Sequence, residues 1–181
     1  MPPEAIETEG QEADSLAFAD FEDLFESLRT QESSDSAYMT EFRAFFETLG
    51  AQHFSADEML FLGGGHYGTG SCAGLNGPPD KSAWAAFKLL VPALDAVRAE
   101  LGHPMRLTSI YRNAAYNSCI GGVENSQHRK CMAADCVVSA VSNTALHEAA
   151  KRARESGAFT GGIGLYSTFV HIDVRGYYVD F

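Results

Sequence analysis

Long apolar runs are missing from this chain of 181 residues. None approaches the roughly 20 residues that cross a bilayer, so no membrane span is expected. A basic stripe with interleaved aromatics is also missing, which argues against nucleic acid as a partner. The four cysteines, Cys72, Cys119, Cys131 and Cys136, form no Cys-x-x-Cys pair, so a zinc site built from four thiolates is disfavoured. The first residues show neither a basic start nor an apolar stretch before Ala17, and no secretory signal is expected from them.

Acidic charge is plentiful but uneven. Residues 1–60 hold fifteen Asp or Glu and two Arg, a net of −13, whereas residues 61–181 hold nine acids and eleven Lys or Arg, a net of +2. The acidity therefore belongs to the N-terminal part, where it reads as a solvated segment. The hydrophobic content of 45% is enough for a substantial core.

The pattern divides the chain into a disordered acidic tail over 1–15, an acidic helical extension over 16–53 and a main domain over 54–181. In the extension, Leu16, Phe18, Phe21, Leu24, Phe25 and Leu28 fall at helical spacing. Ser36 can cap a second helix carrying Phe42, Phe45, Phe46 and Leu49, stopped by Gly50. These Phe-rich helices are expected to pack on the main domain, with docking of a partner as the alternative. Ser55 with Glu58 reads as a capping box. Residues 63–80 are a Gly/Pro-rich loop, and Ser82 is expected to cap a long helix reaching Leu101, with Pro92 inside it.

Strands are expected over Met105–Tyr111, Ala133–Val138, Gly161–Tyr166 and Phe169–Val174, and helices over Asn113–Cys119 and from Ser142 or Asn143 to Glu155. The last two strands share a tight turn and so run antiparallel. The class is α+β: a small antiparallel sheet flanked by helices, with an N-terminal helical extension.

His128, Asp135 and His171 carry the chemistry. Two imidazoles and a carboxylate form a three-ligand zinc set with one position left for water, the open arrangement of catalytic zinc. On one helix, residues 128 and 135 would stand about 10 Å apart, too far for ligands about 2.0–2.2 Å from one ion. The chain between them must fold back as loop into strand. In the last strand Phe169, His171 and Asp173 share one face, while Val170, Ile172 and Val174 share the other. Cys131 and Cys136 read as small core residues. Cys72 and Cys119 can pair where the compartment is oxidising. Of the other histidines, His53, His66, His103 and His147, only His66 in Gly63-Gly64-Gly65-His66-Tyr67 is a candidate for an active-site wall.

The run Ser126-x-His128-x6-Asp135, followed by a strand bearing His171, resembles the zinc D-alanyl-D-alanine carboxypeptidase family of peptidoglycan peptidases. That family shares its core with hedgehog-like domains and lysostaphin-type metallopeptidases. The resemblance takes in Thr108–Asn117, Gly121-Gly122 and Gly161–Tyr166, and covers roughly residues 54–181. It implies one Zn2+ per chain on His128, Asp135 and His171, and a peptidoglycan stem peptide or muropeptide as substrate. It implies substrate contact by Arg112 near the zinc and by Ser126. A turn role, bonding its own backbone, stands beside this for Ser126. Tyr116 is a further pocket candidate. Such chemistry belongs to the bacterial cell envelope or to phage delivery.

The chain departs from the pattern at the base. The family places an Asp or Glu three residues before the last ligand, or a histidine two before it; here those positions are Thr168 and Phe169. Asp173 is the nearest carboxylate, either as the base or as a group that orients a ligand. Glu124 is the other candidate. The readings to separate are a zinc peptidase, a non-enzymatic hedgehog-like zinc domain of an envelope or phage assembly, and a cysteine hydrolase using Cys119 or Cys131.

Overall fold

The computed structural model describes residues 37–181. The acidic tail and the first Phe-rich helix lie outside the described residues. The second Phe-rich helix is α1, Ala37–Glu47. Its Phe42 and Phe46 are buried in one core with Phe54, Trp84 and Phe87. Phe42 meets Trp84 and Phe87 edge to face, with centroids 5.1 and 5.5 Å apart, the geometry aromatic quadrupoles favour. Residues 37–53 thus contribute to the core of the main domain.

A capping box formed by Ser55 and Glu58 opens the short α2, Ala56–Met59. A helical turn not expected from the pattern, α3, Gly64–Tyr67, sits in the Gly-rich stretch. The long helix does not start at Ser82. A 3-10 turn over Lys81–Ala86 comes first, and α4 spans Phe87–Leu101, with Pro92 inside it and Gly102 closing it at φ 70. Glycine meets no Cβ clash in that left-handed conformation. The later elements follow the pattern: β1 Arg106–Ser109, α5 Ala114–Cys119 capped by Asn113, β2 Ala133–Val137, and α6 Asn143–Glu155 capped by Ser142. They close with β3 Gly162–Leu165 and β4 Val170–Asp173.

One mixed sheet runs in the order β1-β2-β4-β3-β5, where β5 is Val179–Asp180. The first three pairings are antiparallel, and β5 joins β3 in parallel. Two residues carry no readable alternation, which is why β5 escaped the pattern. Ala134, Cys136, Ile163, Val170, Ile172 and Val174 turn to the hydrophobic core. Helices α4 and α6 pack together, and α6 packs on β3 and β4. The class is α+β, and the opposite face of β2 and β4 is left for polar chemistry.

Candidate metal centre

In the β2–β4 ladder Asp135 stands directly opposite His171. Directly opposed residues hold their Cβ atoms about 4.5–5.5 Å apart on the same face, so two candidate ligands meet through register alone. His128 arrives from the loop. Ser126 opens a 3-10 turn over Gln127–Lys130, its Oγ accepting from His128 N. Cys131 then takes the left-handed conformation at φ 55 and returns the chain into β2. The fold-back required by the seven-residue spacing is this turn.

His128 Nε2, Asp135 Oδ1 and His171 Nδ1 converge, with separations of 3.1, 3.3 and 3.0 Å. Ligands about 2.0–2.1 Å from a tetrahedral ion stand roughly 3.3 Å apart, close to the distances here. The donor chemistry agrees. His128 Nδ1 donates to the carbonyl of Ile110 at 2.7 Å, and His171 Nε2 donates to Asp173 Oδ2 at 3.1 Å. With both ring protons committed outward, the inward nitrogens present lone pairs. Three acceptors then face one another, and only a proton or a cation reconciles them.

The titration of the centre reflects that conflict. Burial opposes a charged His171, but its hydrogen bonds to Asp135 and Asp173 outweigh burial and push it up to about 10. Burial likewise works to raise Asp135, yet His128 and Arg112 beside it hold it below the usual carboxylate range. The three side chains form the metal-competent group found among the described residues, and all are buried.

Arg112 is buried and grips the other side of Asp135. Its Nη2 pairs with Asp135 Oδ2, and its Nε donates to Ser109 Oγ at 2.8 Å. The β1–β2 ladder is irregular between Leu107 and Ser109, and such bulges re-aim side chains. Here Ser109 comes opposite Asp135, and Thr108 Oγ1 donates to the Asp135 carbonyl at 3.2 Å. Arg112 therefore sits beside the His128, Asp135 and His171 cluster.

Asp173 lies on the far side of His171 from the converged ligand atoms. Its carboxylate accepts from His171 Nε2, from Gly162 N at 2.9 Å, and from the backbone and guanidinium of Arg175. Burial works to raise it, but those donors hold it well below the usual range. Of its two expected roles, base or orienter of a ligand, this geometry favours the second. Glu124 is exposed in the preceding loop, Thr168 is exposed, and Phe169 stacks on Tyr166 at 4.4 Å.

Ser126 is buried, and its oxygen caps the metal turn. Tyr116 is fully buried against Cys72 and Ile120, so in this conformation it offers no surface to a substrate. Cys72 and Cys119 are joined as a disulfide. Burial pushes the Cys131 thiol up to about 12, and burial with the nearby Asp135 charge raises Cys136 well above its ordinary value. With Cys119 oxidised and both free thiols protonated, the cysteine-hydrolase reading has no thiolate to use. His66 Nδ1 accepts from Asn76 N at 3.1 Å. Asn76 in turn bonds the Tyr111 carbonyl and Asn113 N, so the His66 loop is tied to the segment bearing Arg112.

A family model described as Peptidase M15 matches residues 53–173, which include all three converged ligands. The chain is a member of the peptidase M15 family. M15 is the zinc D-Ala-D-Ala carboxypeptidase-like family, and its members are zinc metallopeptidases. No curated protein and no solved structure matches the chain. The sequence pattern missed Arg175, two residues past the matched range, and gave no structural reason for the two glycines that face Asp173. A Cβ on Gly161 would stand 1.7 Å from the Asp173 carbonyl, and one on Gly162 would stand 2.6 Å from Asp173 Oδ2. The Gly161-Gly162 pair is the signal that another group approaches closely here.

Proposed function

We propose that the chain is a zinc-dependent peptidase that hydrolyses peptidoglycan stem peptides at a bond flanked by D-amino acids. The carrying observation is the convergence of His128 Nε2, Asp135 Oδ1 and His171 Nδ1 with both outer ring nitrogens already engaged. His128, Asp135 and His171 would hold one Zn2+. When bound, the ion supplies Lewis-acid polarisation of a carbonyl and a water of lowered pKa. Arg112 fixes Asp135 and places positive charge beside the centre, where it favours a developing oxyanion. Asp173 holds the His171 tautomer. Ser126 caps the metal turn, and Tyr116 packs with Cys72 and Ile120 beside the disulfide, both buried. Substrate contact by either requires that packing to open.

The Cys72–Cys119 disulfide supports action in an oxidising place such as the cell envelope, reached by export or phage delivery. A second reading, a zinc domain without catalysis in an envelope or phage assembly, is favoured by one observation. Thr168 and Phe169 offer no proton acceptor, and Asp173 is fully engaged.

Digestion of purified muropeptides, read by mass spectrometry with and without a zinc chelator, decides between them. The peptidase reading expects loss of a terminal D-amino acid or scission of a cross-link, abolished by chelation and restored by Zn2+. A zinc-loaded chain that cleaves no stem peptide contradicts it and leaves the binding reading. Cleavage that survives chelation contradicts both.

A further inference from the structure

We propose that Arg175 is a positioning residue for the metal centre: it locks the Asp173 carboxylate against His171 Nε2, so that His171 turns Nδ1 inward. This rests on the zinc reading above. An imidazole can present either nitrogen to a metal, and the partner of the other nitrogen decides which. Here that partner is Asp173. A carboxylate held by one bond can swing about its own axis, but Asp173 has no such freedom. Arg175 Nε donates to Oδ1 at 3.0 Å and to Oδ2 at 2.9 Å, and Arg175 Nη2 donates to Oδ2 at 2.6 Å. Arg175 N and Gly162 N both close on Oδ1, at 3.0 and 2.9 Å.

The surroundings keep this lock dry. The Asp173 side chain is fully buried and that of Arg175 is 9% exposed. The Phe181 ring lies 5.6 Å from the Arg175 guanidinium carbon and 5.5 Å from the His171 ring. It fits because Gly164 has no side chain: a Cβ there would come 2.6 Å from Phe181. Charge-assisted bonds strengthen where water is excluded. Lysine is a point donor and cannot span both oxygens as the guanidinium fork does.

Chelator competition for Zn2+ tests this on the full chain carrying Arg175→Ala, Arg175→Gln or Arg175→Lys. Nitrogen-15 spectra of the His171 ring are recorded on the same zinc-loaded samples. Zinc affinity is expected to fall about 10–100-fold for Ala and Gln, with Lys between them and the parent. The parent ring is expected as the Nε2–H tautomer, and the Ala and Gln variants as a mixture. If the Ala variant does not fold, the Gln variant carries the reading. Variants binding zinc within about threefold of the parent, with an unchanged His171 tautomer, overturn the role of Arg175 while leaving the zinc reading intact. A parent that binds no zinc overturns both.

Discussion

The two faces of β2 and β4 are built from the same strands and follow different rules. On one face Ala134, Cys136, Val170 and Ile172 fill a core shared with α4 and α6. What matters there is volume, and neighbours of similar shape are interchangeable at modest cost. On the other face Asp135, His171 and Asp173 are equally buried, yet each is held by named donors at fixed distances. What matters there is partnering, because a buried polar group without its partner loses far more than a misplaced methyl. The core face should therefore answer to stability, and the metal face to metal affinity.

Ile172→Ala makes the largest expected break on the core side. Truncating a fully buried isoleucine costs about 2–5 kcal/mol. Denaturant titration of the zinc-free chain should show that loss, while the folded protein keeps parental zinc affinity. A large drop in affinity without loss of stability would mean the faces are not separable. Next comes the disulfide. Cys72→Ser with Cys119→Ser opens a loop of 47 residues, and about 2–4 kcal/mol of stability should go with it. Chelator competition should find zinc affinity nearly unchanged, since no ligand lies within the bridged pair.

Asp173→Asn comes third and acts on the other face. Zinc affinity should fall about 10–100-fold, or about 1.4–2.7 kcal/mol. A variant with parental affinity and lost turnover would instead make Asp173 the base. The smallest effect is a proton count. With His171 pushed up to about 10 from an ordinary 6.5, the zinc-free chain carries its proton at neutral pH and zinc must displace it. Calorimetry at pH 8 in buffers of different ionisation heat should find about one proton released per zinc. Apparent affinity should fall as pH falls. In the zinc-free chain the sign reverses: the raised group stabilises fully below 6.5, and that contribution is lost as pH rises through about 10. No proton release would show that the ring is already neutral.

The candidate ligand set was legible because Ser126-x-His128-x6-Asp135 and a later strand bearing His171 resemble a known family pattern, and because a spacing of seven positions between two ligands forces a fold-back. The period-two pattern of Phe169–Val174 gave the two faces correctly, and Ser55 marked a helix start by its capping chemistry, whereas Asn113, read as the first helical residue, is the cap, and of Ser142 and Asn143 it is Ser142 that caps. Arg175 was not legible. A lone arginine two residues past an aspartate looks like any surface residue until the turn at Gly176 and the bare Gly161-Gly162 edge bring its fork onto Asp173. The parallel β5 and the turn at Gly64–Tyr67 were too short to carry a period. The cysteine pairing stayed open because it depends on a Cα separation, 5.8 Å here, that spacing along the chain does not reveal.

The most direct test of the centre is elemental analysis of the purified chain beside His128→Ala. His128 joins the cluster from the loop and does not belong to the sheet, so its removal deletes a ligand while leaving the β2–β4 ladder paired. One zinc per parent chain and only traces in the variant are the expected result. A His128→Ala protein that keeps a full equivalent of zinc, or a folded parent that takes up none from zinc-containing buffer, would contradict it.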